Sequence, residues 1–313
     1  MLKTLKALIC SASALMALAS CGPQGQDNGE TQTAGRILVR GEDTAIRMVR
    51  RESQAFMALY PKSEIVVLEG GSKAAIAALN EGRARIAVMN RPLTSLEDSI
   101  IKANGGQARE YKIAYDGLAV IVNSRNKAQR LDFGQLADVF SGRVDNWRSL
   151  GGGAVNLVPV IPGPNMGHYE YFQETVLKGQ TYGPRAYPCS TAAQIVELVK
   201  KHAGAVGLVS MTALYRDWDV WPPVREPGIK ALEIALVRES GYFTPNQKTV
   251  HEGNYPLSHP VYMYVNHALE QSYRQGMASL AHGFITYISS AEGQKIVAQQ
   301  GYVPATMPVS IKK

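Results

Sequence analysis

Three features of the sequence predict an α/β fold in which the chain crosses into a second lobe and later returns. Strand-like and helix-like patterns alternate from residue 36 onward. Two long apolar strands, at 116–122 (DGLAVIV) and 259–265 (HPVYMYV), bracket a middle segment. The chain is 45% hydrophobic, and about 280 residues follow the polar N-terminal stretch, enough for one large or two small cores.

The chain opens with Lys3 and Lys6 ahead of a short apolar run over 7–19, the pattern of a secretory signal. That run is shorter than the roughly 20 apolar residues a membrane span needs. Residues 1–20 therefore read as a leader. The segment Leu18-Ala19-Ser20-Cys21 resembles the bacterial lipobox, so Cys21 is expected to carry palmitate-type acyl chains on a new N-terminus. Such chains contribute roughly 0.8 kcal/mol per buried CH₂ and would hold the protein on a bacterial membrane of the cell envelope, facing the periplasm or the exterior. Residues 21–35, rich in Gly and Gln, read as a flexible tether. Cleavage removes Cys10 and lipidation consumes Cys21, which leaves Cys189 unpaired, so a hydrophobic core must do what a disulfide cannot. Losing Lys3 and Lys6 takes the formal charge from +7 to +5, a mild balance that suits anion handling. The basic residues are scattered, and no nucleic-acid partner is expected.

Within the fold, 37–39 reads as a first strand and a helix follows Thr44, with Ile46, Val49, Phe56 and Tyr60 on one stripe. A second strand over 64–68 ends in Gly70-Gly71-Ser72, and a helix over 73–81 stops at Gly82. Residues 86–89 form a third strand. After the second long strand come helices at 275–288 and 291–299, then Gly301-Tyr302-Val303-Pro304. Thr44 and Ser72 fall at expected helix N-caps, where a hydroxyl and unpaired backbone N–H groups suit an anion.

A collinear set of segments resembles the phosphate-binding proteins of ABC transporters. Gly41-Glu42-Asp43-Thr44 matches a Gly-Ser-x-Thr turn, with Glu42 where Ser is usual. Gly70-Gly71-Ser72-Lys73 matches a Gly-Gly-Ser-Gly loop, and 86–93 (IAVMNRPL) a strand ending in Ser-Arg-x-Leu, with Asn90 for Ser. The match continues through 115–123, 136–143 with Asn146-Trp147, 205–208, 255–257 and 292–304. The resemblance implies a two-lobe periplasmic-binding-protein architecture of type II, with the ligand in the cleft. The expected lobes are 36–117 with 259–313, and 118–258. It further implies capture of phosphate or a related small anion by a monomer that delivers it to an ABC permease. Thr44, Ser72, Lys73, Asn90, Arg91, Gly167 and His168 are the ligand-binding candidates.

The second half of the site departs from that family. An Arg-x-x-Gly-Ser-Gly-Thr loop is usual there; counting back from Phe172, Pro162, Met166 and His168 stand for Arg, Ser and Thr, and only Gly167 survives. Pro and Met donate nothing to an oxyanion. Three readings stay open: an anion held by backbone N–H groups with charge from Lys73, Arg91 or His168; a different solute lined by Met166 and Tyr169; or a protein partner. Arg91 is expected to pair with Glu97, and Trp147 and Phe140 to pack. No cofactor, metal-ligand spacing or nucleophile–base pair is seen, so an enzyme is not expected.

Overall fold

The computed structural model describes residues 30–218, 223–268 and 279–306. Cys21, its leader and most of the tether lie outside the described residues. Ten strands make one curled sheet: β1 (Gly35–Gly41), β2 (Ser63–Glu69), β3 (Ile86–Met89), β4 (Ala108–Asn123), β5 (Val158–Pro162), β6 (Tyr187–Cys189), β7 (Ala205–Ser210), β8 (Ile229–Ala231), β9 (Ser258–Asn266) and β10 (Val303–Pro304). Its order is β2-β1-β3-β9-β4-β7-β5-β6, with β8 and β10 also on β4. The helices are α1 (Asp43–Leu59), α2 (Gly71–Asn80), α3 (Ser95–Ala103), α4 (Phe133–Ser141), α5 (Gly167–Thr175), α6 (Ala192–Lys201), α7 (Gln247–His251), α8 (Leu280–Ile288) and α9 (Ala291–Gln299).

The 16-residue β4 makes two lobes out of one sheet. Its first half pairs antiparallel with β9, and its second half pairs antiparallel with β7. Every residue from Asp116 to Asn123 is buried, as a strand covered on both faces requires. On one side of the crossing, Val39, Met48, Phe56, Val88, Met263 and Phe284 pack into the first lobe's core. On the other, Leu118, Val120, Phe140, Trp147, Phe172 and Leu208 pack into the second's. Phe140 meets Phe172 edge-on at 4.8 Å, and the buried Trp147 satisfies its indole by donating to the Gly204 carbonyl at 2.9 Å.

Two helix starts differ from the expectation. α1 begins at Asp43 behind Glu42, and α2 at Gly71 behind Gly70, so Thr44 and Ser72 lie inside the first turn and cap nothing. The cause at α2 is Gly71, whose φ of +69° lets the chain turn sharply enough to enter the helix earlier. α3 was not read from the pattern, although Thr94 and Glu97 form a capping box at its start. α8 is described from Leu280; the expected start at 275 lies outside the described residues. Cys189 is buried, and burial raises its thiol pKa.

Candidate functional site

The cleft is closed around a carboxylate supplied by the chain itself. Glu42 sits at the N-cap position of α1 but turns its side chain away from that helix. Its Oε2 accepts from the Ser72 hydroxyl at 2.5 Å, and its Oε1 accepts from the Gly167 backbone N–H at 2.9 Å. One donor stands in the first turn of α2, in the first lobe; the other opens α5, in the second. Asp43 repeats the arrangement, its Oδ2 accepting from the N–H of Ala192 at the start of α6, 3.1 Å away. Two consecutive acids of the first lobe thus occupy two helix N-termini of the second, where unpaired N–H groups and the helix dipole favour negative charge.

Gly167 is what allows this approach. A Cβ there would stand 2.7 Å from Ser72 Oγ and 3.3 Å from Glu42 Oε2. At Gly71 a Cβ would meet the Asn165 carbonyl at 2.4 Å, so the lobes touch backbone to backbone at this edge as well. Beside the contact lies a cavity of about 360 Å³ whose walls include Glu69, Gly70, Asn165 and Thr191.

Burial pushes the Glu42 carboxyl up to about 7, assisted by neighbouring Asp43 and opposed by Ser72, Gly167 and Arg91. Burial raises Asp43 as well. The site therefore holds a carboxyl poised between neutral and charged near neutral pH.

Of the residues singled out in the sequence, Thr44, Ser72, Asn90, Gly167 and His168 come together. Asn90 Nδ2 donates to Thr44 Oγ1 at 2.7 Å and lies 3.4 Å from His168 Nε2. The two cations are engaged in ion pairs. Lys73, half exposed, pairs with Glu170 at 3.0 Å. Arg91 is buried and grips both oxygens of Glu97 at 2.8 and 2.7 Å; it also pairs with Glu170 in the first turn of α5. His168 is wholly buried, and burial, with His259 facing it, holds its pKa well below 6.5. It is neutral at pH 7, so it supplies no positive charge to an anion. Met166 is buried at the N-cap of α5, its side chain capping nothing.

Sequence reasoning missed Glu42, Asp43, Asp116, Glu170 and His259 as members of this region. Glu42 alone left a trace, as an acid in a turn where a hydroxyl is usual. Asp116 and His259 are direct cross-strand partners on β4 and β9. His259 Nε2 stands 3.0 Å from His168 Nε2.

Two lobes on one sheet, joined by crossing strands and meeting at helix N-termini, define a binding protein that closes on what it holds. The chain belongs to the PBP superfamily domain family, whose model matches residues 27–292. It is similar to the phosphate-binding protein PstS of Pseudomonas aeruginosa, 25% identical over 315 residues that cover 96% of this chain and 92% of that one. The Bacillus subtilis phosphate-binding protein PstS is 26% identical over 309 residues, covering 96% and 93%. Among solved structures, a Clostridium perfringens chain described as a phosphate ABC transporter substrate-binding protein with bound phosphate matches with a TM-score of 0.72. It is 24% identical, and the match covers 87% of this chain and all of that one. An ABC-type phosphate transport receptor from Vibrio cholerae matches at 0.66 and 22% identity, with 87% and 100% covered. The structural likenesses bear on the fold.

Proposed function

We propose that the protein is the extracytoplasmic solute receptor of an ABC-type transporter, capturing phosphate or a related small oxyanion between its lobes for a membrane permease. The grip on Glu42 carries this reading: a hydroxyl and a backbone N–H, one from each lobe, converge on two oxygens of one anionic group. A solute oxyanion takes those donors by displacing the carboxylate. The relatives named as phosphate-binding proteins support the ligand class. Acylation of Cys21 tethers the receptor to a bacterial membrane, and no helix among the described residues is long and apolar enough to cross one. The receptor works as a monomer by opening and closing its lobes.

Glu42 also favours a second reading, in which lobes already closed on an internal carboxylate present a fixed surface to a protein partner in sensing. Calorimetry on the mature chain with phosphate and sulfate at pH 6.5 separates the two, with Glu42→Ser alongside. Phosphate is expected to bind both proteins, and the variant more tightly by at least about tenfold, since charge-assisted hydrogen bonds contribute about 1.5–3 kcal/mol each and 1.4 kcal/mol is tenfold in affinity. No binding of either anion below millimolar concentration by either protein defeats the receptor reading and leaves the second.

A further inference from the structure

The two crossing strands and the second lobe together send three metal-competent side chains to a single buried point. Asp116 on β4 and His259 on β9 face each other across the crossing strands. His168 enters from the first turn of α5. One ligand atom from each of the three lies within 4.8 Å of the other two, and all three residues are buried.

Three details suit a metal ion better than a hydrogen-bonded cluster. The His168 and His259 rings present Nε2 to Nε2 at 3.0 Å, where a single shared proton is all that can lie between them. His259 Nδ1 faces the Pro260 carbonyl at 3.3 Å. An N–H there points the bare Nε2 lone pair inward, and a backbone carbonyl behind an imidazole is the usual support of a ligating histidine. Asp116 is wholly buried, with Oδ1 accepting from the Gly117 N–H at 2.7 Å, while Oδ2 has Ser210 and the Met211 N–H near it without a well-formed hydrogen bond. The Ser210 hydroxyl lies 2.8 Å from that of Thr212, and either can donate. Asn90 turns Nδ2 toward His168, and its Oδ1 is buried without a partner. A buried polar atom is costly when left bare, and a cation gives Asp116 Oδ2 a full partner.

We propose that Asp116, His168 and His259 bind one divalent transition-metal ion of the zinc class, with a solute oxygen completing the set. Two nitrogens about 2.0–2.1 Å from a tetrahedral zinc lie about 3.3 Å apart, close to what the two rings already show. The aspartate oxygen closes the remaining gap by moving inward roughly 1–1.5 Å. The ion ties the crossing strands to α5, so it pins the second lobe in its closed position.

The test is a Co²⁺ titration of the mature chain, stripped with chelator and kept free of phosphate, followed by visible absorption and then displacement with Zn²⁺. One Co²⁺ per chain with tetrahedral d–d bands is expected, removed by stoichiometric Zn²⁺. His259→Gln and the isosteric Asp116→Asn should each weaken uptake by more than about 100-fold, the upper end of what loss of even an outer partner costs. Circular dichroism checks that each variant is folded; if His259→Gln is not, Asp116→Asn and His168→Gln carry the comparison. No saturable uptake, or equal uptake by wild type and folded variants, overturns the proposal. Because no anion is present, failure here leaves the phosphate reading untouched, and failure to bind phosphate leaves this one untouched.

Discussion

Glu42 makes the stability of the closed chain depend on pH in a way that a single isosteric substitution removes. Burial lifts its carboxyl from 4.5 to about 7. Each tenfold change in an acid constant is 1.36 kcal/mol, so the folded chain disfavours the ionised form by about 3 kcal/mol relative to the unfolded one. The folded pKa is the higher of the two. The stability associated with protonation is therefore complete below about pH 4.5 and is lost as pH rises through about 7. Between pH 5 and pH 8 this one group removes about 2.5 kcal/mol. Glu42→Gln keeps the shape of the side chain: its amide oxygen can accept from Gly167, and its NH₂ can donate to Ser72. It cannot ionise. Urea unfolding of wild type and variant at the two pH values gives the difference directly, and the other titrating groups, common to both proteins, cancel. The variant should gain about 2.5 kcal/mol on the wild type between pH 5 and pH 8. A difference that stays constant across that range would mean that Glu42 is solvated in the folded chain and that the lobes do not close on it.

Two further substitutions probe neighbouring features. Gly167→Ala places a methyl group 2.7 Å from a Ser72 oxygen already held by Glu42, so the lobes must part; an overpacked contact costs about 1–3 kcal/mol, and solution scattering should show a larger radius of gyration than the wild type. Glu52 is buried in α1 with neither carboxyl oxygen hydrogen-bonded, and burial lifts its pKa to about 9, so it is neutral at pH 7. Glu52→Met fills the same space without polar atoms and should stabilise the chain by about 1–3 kcal/mol in urea unfolding at pH 7, a loss of stability being the opposing result.

The sequence pattern located β3 and α9 to the residue, because β3 is a short run buried throughout and α9 opens on a Ser290 cap and stops before Gly301. It shifted α1 and α2 because Thr and Ser are strong cap residues, while the actual entry was decided by Gly71 and by an acid that leaves its own helix to serve another. The Thr94–Glu97 box is legible in the sequence and marks α3, while the same Glu97 is the expected partner of Arg91; the structure gives it both duties. The buried triad was out of reach. His168 and His259 are 91 positions apart, and Asp116 meets His259 only through the register of β4 on β9, which no local spacing encodes. The same holds for Glu42 and Gly167, separated by 125 positions and joined only when the lobes close.

These contacts change how an anion would have to bind. In an empty cleft, helix N-termini and free cations attract a solute, and the gain is the whole of the interaction. Here Lys73 and Arg91 are spent on Glu97 and Glu170, and the donors at α2 and α5 already serve Glu42. Binding is then an exchange of one oxyanion for another, and the two donors contribute only the difference between two similar bonds. Protonation of Glu42 tilts the exchange toward the solute, which argues for tighter capture on the acid side of pH 7. A divalent ion at Asp116, His168 and His259 would tilt it further. It would restore, one residue beyond Gly167, the positive charge that Pro162 in place of an arginine removed. An anion that finds both the neutral Glu42 and the cation gains what the exchange alone withholds.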